Sequence, residues 1–171
     1  MATPIAVVSG VTGGIGRALA DGFGAAGYQV TGIDRTEAPA HAFGNYVRLD
    51  ITDTAAVAAF GASLDRVDVL INAAGVIRRV EEFEVAVFEQ VVDINLTGTM
   101  RLATACQPAL ARAGGAVINI ASMLSFFGGG LVPGYAASKG GVAQLTKSLA
   151  IAGPRTASAS TRSRPDGSRR R

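Results

Sequence analysis

The sequence predicts an α/β fold over residues 1–152, a doubly wound parallel sheet with helices on both faces. Three observations predict it. Short, near-continuously apolar runs such as Ile5–Ser9 recur along the chain and read as strands buried on both faces. Stretches with helical spacing alternate with them, and that alternation makes a parallel sheet. The chain of 171 residues is 49% apolar and holds 22 Gly, a mix that suits close packing and tight strand-to-helix turns.

The first strand, Ile5–Ser9, is bounded by Pro4 and Gly10. After it come Gly10-Val-Thr-Gly-Gly-Ile-Gly16 and then RALADGFGAAG, which has helical spacing. Glycines at such a turn let backbone N–H groups approach a phosphate, and the new helix presents its positive end there. Gly10, Thr12, Gly13, Gly14, Ile15 and Gly16 are therefore candidate nucleotide ligands, although the spacing is G-x-x-x-G-x-G and not G-x-G-x-x-G. Residues 28–33 form the second strand, closed by Asp34, 20 residues after Gly14. A carboxylate there can accept from ribose hydroxyls and would repel a 2′-phosphate, which favours NAD. The neighbouring Arg35 could hold that phosphate, so NADP stays open.

The third strand, residues 46–49, runs into Asp50-Ile51, and Asp53 or Thr52 can cap the helical stretch that follows. The fourth, residues 68–71, ends at Asn72-Ala73-Ala74-Gly75, small residues that let backbone lie against a flat ring or its ribose. A long helical stretch, about residues 84–112, carries Asn95-Leu-Thr-Gly98 in its interior. Those poor helix formers predict a local irregularity. The fifth strand, residues 116–121, delivers Ser122 into a flexible loop before the helix of Tyr135 and Lys139. Four residues apart, that Tyr and Lys share one helix face. A phenol near pKa 10 shuttles protons poorly at neutral pH, and a nearby ammonium favours its phenolate, so the pair is a plausible acid/base device. Gly10–Gly16, Asp34, residues 72–75 and Ser122 all fall at the carboxyl ends of strands, where such sheets bind ligands.

The lone Cys106 leaves no internal disulfide and reads as a small buried hydrophobe; His41 sits in a loop. No cluster has metal-site spacing, no apolar run reaches the length of a membrane span, and MATPIAVV lacks the basic start of a signal peptide. A cytoplasmic location, without nucleic-acid or membrane partners, is the expectation. The net charge of +3 divides into −2 over residues 1–153 and +5 over residues 154–171, so the basicity belongs to the tail.

From Ile5 to about Ala152 the chain resembles the short-chain dehydrogenases/reductases. The resemblance rests on SGVTGGIG, the Asp50 element, NAAG, the Asn95 motif, and Ser122 followed 13 residues later by YAASK. It implies a Rossmann-type sheet, an NAD(P)-dependent oxidoreductase acting on a secondary alcohol or ketone, and a homo-oligomer for the full-length form. It further implies a catalytic tetrad. Ser122 would hydrogen-bond the substrate oxygen, Tyr135 would move its proton, Lys139 would hold the nicotinamide ribose, and Asn95 would order a water. Asp50, with Ile51, would contact the adenine, and Asn72, Ala73, Ala74 and Gly75 would line the cofactor cleft. GVIRR and the Ser122–Lys139 segment are similar to the sugar-acid members, the 2-deoxy-D-gluconate 3-dehydrogenases and gluconate 5-dehydrogenases. Arg78 and Arg79 could clamp a substrate carboxylate. A 3-oxoacyl-acyl-carrier-protein reductase-like activity is the alternative.

After Ala152 the resemblance stops at GPRTASASTRSRPDGSRRR, which has the composition of a disordered tail. Residues 153–168 can be encoded by a DNA run that, with one T restored before it, reads WAPYGIRVNAIAPGWI, the continuation the family leads one to expect. The expectation is thus a frameshift that leaves the sheet without its last two strands. A truncated, inactive product with residual nucleotide binding then becomes the alternative to an enzyme, and an Arg-rich arm for nucleic acid or an acidic surface is the competing reading of the tail.

Overall fold

Five apolar runs pair side by side in a computed structural model of the chain, which describes residues 2–38 and 44–153. They are β1 (Ile5–Ser9), β2 (Gln29–Asp34), β3 (Asn45–Arg48), β4 (Val69–Asn72) and β5 (Ala116–Asn119). All pairings are parallel, in the order β3-β2-β1-β4-β5. The helices are α1 (Gly14–Ala25), α2 (Thr54–Ala62), α3 (Val85–Val92), α4 (Gly98–Ala113) and α5 (Pro133–Ala152). Strand β1 has β2 on one side and β4 on the other, with Ser9 level with both Ile33 and Asn72. The chain therefore reverses its direction of winding at β1, and the crevice beyond Ser9 is the topological switch point where such sheets bind ligands.

Alternation along the strands builds a core on each face. Val7, Ile33 and Leu70 pack with Val57, Phe60, Leu102 and Cys106 from α2 and α4. Ala6, Val8, Val30 and Ile71 pack with Ala20, Leu19 and Phe23 from α1. Cys106 is fully buried, and burial pushes its thiol up to about 12, as suits the inert hydrophobe expected there.

The expected irregularity lies where Asn95 sits. The stretch expected to be helical divides into α3 and α4, joined by a π-helical segment, Asp93–Thr97. Asp53, not Thr52, caps α2, accepting from Ala56 N at 3.0 Å. Thr52 instead donates N–H and hydroxyl to Asp50 Oδ1. Strand β4 starts after Asp68, whose carboxylate accepts from Ile5 N at 2.8 Å. Strand β5 ends at Asn119, before the expected boundary, and the loop after it contains a 3-10 turn, Met123–Ser125, which Ser122 caps. His41 and the tail at residues 154–171, with the frameshift reading attached to it, lie outside the described residues. Among the described residues no helix is long and apolar enough to cross a membrane, and no three His, Cys, Asp or Glu side chains group closely enough to hold a metal ion.

Helices α2 and α4 meet backbone to backbone at Gly61, where an added Cβ would stand 2.3 Å from Ala105 O. Exposed Gly22 in α1 has open space around its missing Cβ. Gly61→Ala is expected to destabilise the fold by about 1–3 kcal/mol through overpacking. Gly22→Ala is expected to stabilise it by about 0.5–1 kcal/mol. Urea midpoints at unchanged m-value check both signs.

Candidate active site

The glycine turn is folded tightly onto its neighbours. Gly10 has φ +74°, and a Cβ there would lie 2.7 Å from Ala74 N and Cα. A Cβ on Gly16 would fall 2.2 Å from Gly10 O. Only glycine lets the end of β1, the start of α1 and Ala74 share this space. Ser9, the strand's last residue, whose side-chain role was unanticipated from sequence, completes the join: its buried Oγ accepts from both Ala73 N and Ala74 N at 3.1 Å. The first N–H groups of α1 have no intrahelical acceptor, and the capping residue Gly13 supplies no side-chain acceptor.

Beside this turn opens a cleft of ≈ 660 Å³. Its walls bring together Gly10, Thr12, Gly13, Gly14, Ile15 and Gly16 with Asp34 and Arg35, Asp50 and Ile51, and Ala73, Ala74 and Gly75. Thr12 donates both N–H and hydroxyl to Asp34 Oδ2, at 3.2 and 2.7 Å, so the carboxylate is held against the glycine turn. The Thr52 N–H and then its hydroxyl hold Asp50 below the usual carboxylate range. Asn72 does not line this cleft; its Nδ2 donates to Asn119 Oδ1, and Asn119 in turn donates to Thr146 Oγ1 on α5. Asn72 Oδ1 is buried without a partner.

Asn95, Ser122, Tyr135 and Lys139 lie off the cleft wall, and Gly75 is the link. A Cβ built on Gly75 would stand 3.2 Å from Asn95 Oδ1 and 3.6 Å from Lys139 Nζ. The π-helical turn directs Asn95 inward, where it is fully buried. Its Oδ1 accepts from Val76 N at 2.8 Å, and its Nδ2 donates to Val76 O and to Ser138 Oγ. Ser138, also unanticipated from sequence, passes the link on to Tyr135 O. Lys139 is 5% exposed; its Nζ donates to Ile120 O at 2.6 Å and stands 5.8 Å from the centre of the Tyr135 ring. Burial holds its ammonium below the ordinary lysine value. Ser122 Oγ accepts from Leu124 N, while Ser125 Oγ accepts from Ser122 N and donates to Lys139 O. One serine thereby fastens the Ser122 turn to the helix of Tyr135 and Lys139.

The family model described as short chain dehydrogenase matches residues 4–156. A 2-dehydro-3-deoxy-D-gluconate 5-dehydrogenase of Formosa agariphila is 37% identical, over 85% of this chain and 62% of that protein. The 3-oxoacyl-[acyl-carrier-protein] reductase of Escherichia coli is 32% identical, over 85% of this chain and 66% of its own length. Among solved structures, a Beutenbergia cavernae protein provisionally described as an NAD(P)-dependent gluconate 5-dehydrogenase, with NADP bound at low occupancy, superposes with a TM-score of 0.79 at 37% identity. That match covers 88% of this chain and 67% of that one. The chain thus spans under two thirds of the length of the curated relatives described.

Because the folded chain releases the Lys139 proton at a lower pH than the unfolded chain, the unfolded state binds more protons between the two values. Stability from this group therefore rises with pH across that interval. The stability of the wild type minus that of Lys139→Met should grow as pH rises toward the ordinary lysine value of about 10.4 and level off above it. Urea unfolding of both proteins at each pH measures it, and a flat difference would remove the buried ammonium from the account.

Proposed function

The chain belongs to the short-chain dehydrogenase family, and from that premise we propose that it interconverts a secondary alcohol and a ketone with a nicotinamide dinucleotide, the substrate being a sugar acid or a related polyol. The observation that carries this reading is the meeting at Gly75, where the cleft of the glycine turn and Asp34 reaches Asn95 Oδ1 and Lys139 Nζ. By this reading residues 1–152 form one dinucleotide-binding and catalytic unit.

The residues present fit the dinucleotide. Missing side chains at Gly10 and Gly16 bring backbone to the cleft floor, and the opening turn of α1 supplies N–H donors for the phosphates. Asp34 faces the ribose hydroxyls and repels a 2′-phosphate, so NAD is preferred over NADP. When bound, the nicotinamide supplies or accepts the hydride. The protein handles the proton. Ser122 Oγ accepts from Leu124 N and can donate its own hydrogen to the substrate oxygen. The Tyr135 hydroxyl gives or takes the proton at that oxygen, and Lys139 holds a positive charge beside the ring. The space a Cβ at Gly75 would fill lies near both Asn95 Oδ1, which keeps a second lone pair, and Lys139 Nζ. A water bonded to Asn95 Oδ1 and Lys139 Nζ, beside Gly75, would complete the relay.

Arg78 and Arg79, both exposed on the loop after Gly75, supply the grip on a substrate carboxylate. The sugar-acid name of the Formosa relative agrees with that role. An acyl-carrier substrate has no free carboxylate at its reacting end, so Arg78→Ala should raise KM for aldonates and leave a 3-oxoacyl substrate unaffected. A second reading, nucleotide binding without turnover, is favoured by one observation. The Ser122 side of the site is open, with Met123, Phe126 and Phe127 68–78% exposed.

Titrating NAD and NADP by calorimetry, and assaying a panel of aldonates and polyols, separates these readings. Tyr135→Phe should lower kcat by about 10²–10⁴-fold and leave nucleotide affinity within about two-fold. Activity that survives the substitution removes the proposed acid/base. Nucleotide binding with no turnover in the wild type establishes the second reading, and tighter binding of NADP than of NAD overturns the Asp34 argument.

A further inference from the structure

Glu82 is a buried carboxylate that the reaction scheme above does not use. It is 1% exposed, although it sits in a short 3-10 turn, Glu81–Phe83, between exposed neighbours. None of the ion pairs among the described residues includes it. An unpaired carboxylate is costly to bury unless its oxygens receive strong hydrogen bonds. Both do, and both donors are backbone amides of the candidate site. Oε1 accepts from Arg78 N at 2.7 Å, and Oε2 accepts from Tyr135 N at 2.8 Å, 53 residues away.

The Tyr135 amide belongs to the first turn of α5, which begins at Pro133. Its capping position is Val132, which makes no side-chain cap. Glu82 takes over that task and brings a negative charge to the positive end of the helix. Gly134 makes room: a Cβ there would lie 3.3 Å from Glu82 Oε2 and 3.2 Å from Phe88 Cδ2. On its other side Glu82 holds the loop of Arg78 and Arg79 in a strained course. Val80 adopts φ +68° with ψ −45°, a γ-turn-like positive-φ conformation unusual for a β-branched residue, and donates its N–H to Leu131 O at 2.8 Å.

We propose that Glu82 is a positioning residue that fixes the arginine loop and the Tyr135 helix at one separation, so that a substrate carboxylate held by the loop presents its hydroxyl to Tyr135. The proposal rests on the function proposed above for Tyr135 and the two arginines. A glutamine at this position keeps size and burial but turns one acceptor into a donor facing a backbone N–H. One of the two links must break.

The test compares the wild type, Glu82→Gln and Gly134→Ala, which crowds the carboxylate without removing it. Amide hydrogen exchange at Arg78 and Tyr135, nucleotide affinity and steady-state kinetics are measured on each full chain. In Glu82→Gln, exchange at one or both of these amides should quicken by about ten-fold or more, with α1 amides unchanged. Affinity for NAD should stay within about two-fold, because Glu82 does not line the nucleotide cleft. A displaced reacting group lowers kcat by about 10- to 100-fold. KM should rise for aldonates and not for neutral polyols. Gly134→Ala should move exchange and kcat in the same direction by less. Unchanged exchange at both amides overturns the proposal, as does a loss of activity that merely tracks a loss of nucleotide binding. If the wild type turns over no alcohol, the catalytic reading fails by itself, and the exchange data still decide whether Glu82 holds the two segments together.

Discussion

The Asn95 side chain is sealed from water, so its carbonyl and amino groups must find partners within the protein. It finds them in Val76 N, Val76 O and Ser138 Oγ. The π-helical turn makes this possible. A regular helix through residues 84–112 would follow a single 3.6-residue period, and the wider turn at Asp93–Thr97 resets the facing of the residues within it. Once Asn95 is fixed, so is the backbone at Gly75 and Val76, in the loop after β4 that faces the cleft. Through Ser138 the same amide reaches α5. The two halves of the candidate site, one on the sheet and one on a helix, share a single buried polar group.

Helix α5 carries the consequences in charge. Its first turn receives the Glu82 carboxylate at the Tyr135 amide, and one turn further on Lys139 is buried with its ammonium on Ile120 O. Each of these charges is bonded to backbone and not to the other. Burying either alone costs free energy that its hydrogen bonds only partly return. The proposed function has a use for each: a cation beside the Tyr135 ring, and an acceptor that holds the Tyr135 backbone. The helix dipole favours the Glu82 charge at its N-terminal end.

Much of this was legible in the sequence, and the limits of legibility have physical causes. Strand β1, the glycine turn and Asp34 announce themselves because a local pattern, an apolar run closed by glycines, determines a local conformation. The break at Asn95 was visible for the same reason. Ser9 and Glu82 were not. Glu81 and Glu82 are identical neighbours, yet one is exposed and the other is sealed; the difference arises from the amide of Tyr135, 53 residues away. No periodicity carries that information. Gly61 is similar, since its need to lack a side chain comes from Ala105 on another helix. Strand β4 starts one residue later than expected, at the point where the Asp68 side chain reaches across the sheet to Ile5 N.

The site is unevenly supported, and the sheet explains why. Strands of a parallel sheet are ordinarily covered on both faces. Strands β1, β2 and β4 follow that rule, each with most of its residues buried. Among the described residues strand β5 does not: it pairs only with β4, Ala116 and Ile118 are exposed, and Val117 and Asn119 are half-buried. The glycine turn and Asp34 are anchored to the covered strands, whereas Ser122 follows β5. Local stability tracks the buried contacts around a segment. The glycine-turn side is therefore the more firmly held, and Ser122 depends on its cap with Ser125 and on the Ser125–Lys139 bond to α5. Order around Ser122 then comes from the helix more than from the sheet, and in the proposed reaction a carboxylate that fixes the start of that helix bears on the chemistry as well as on the fold.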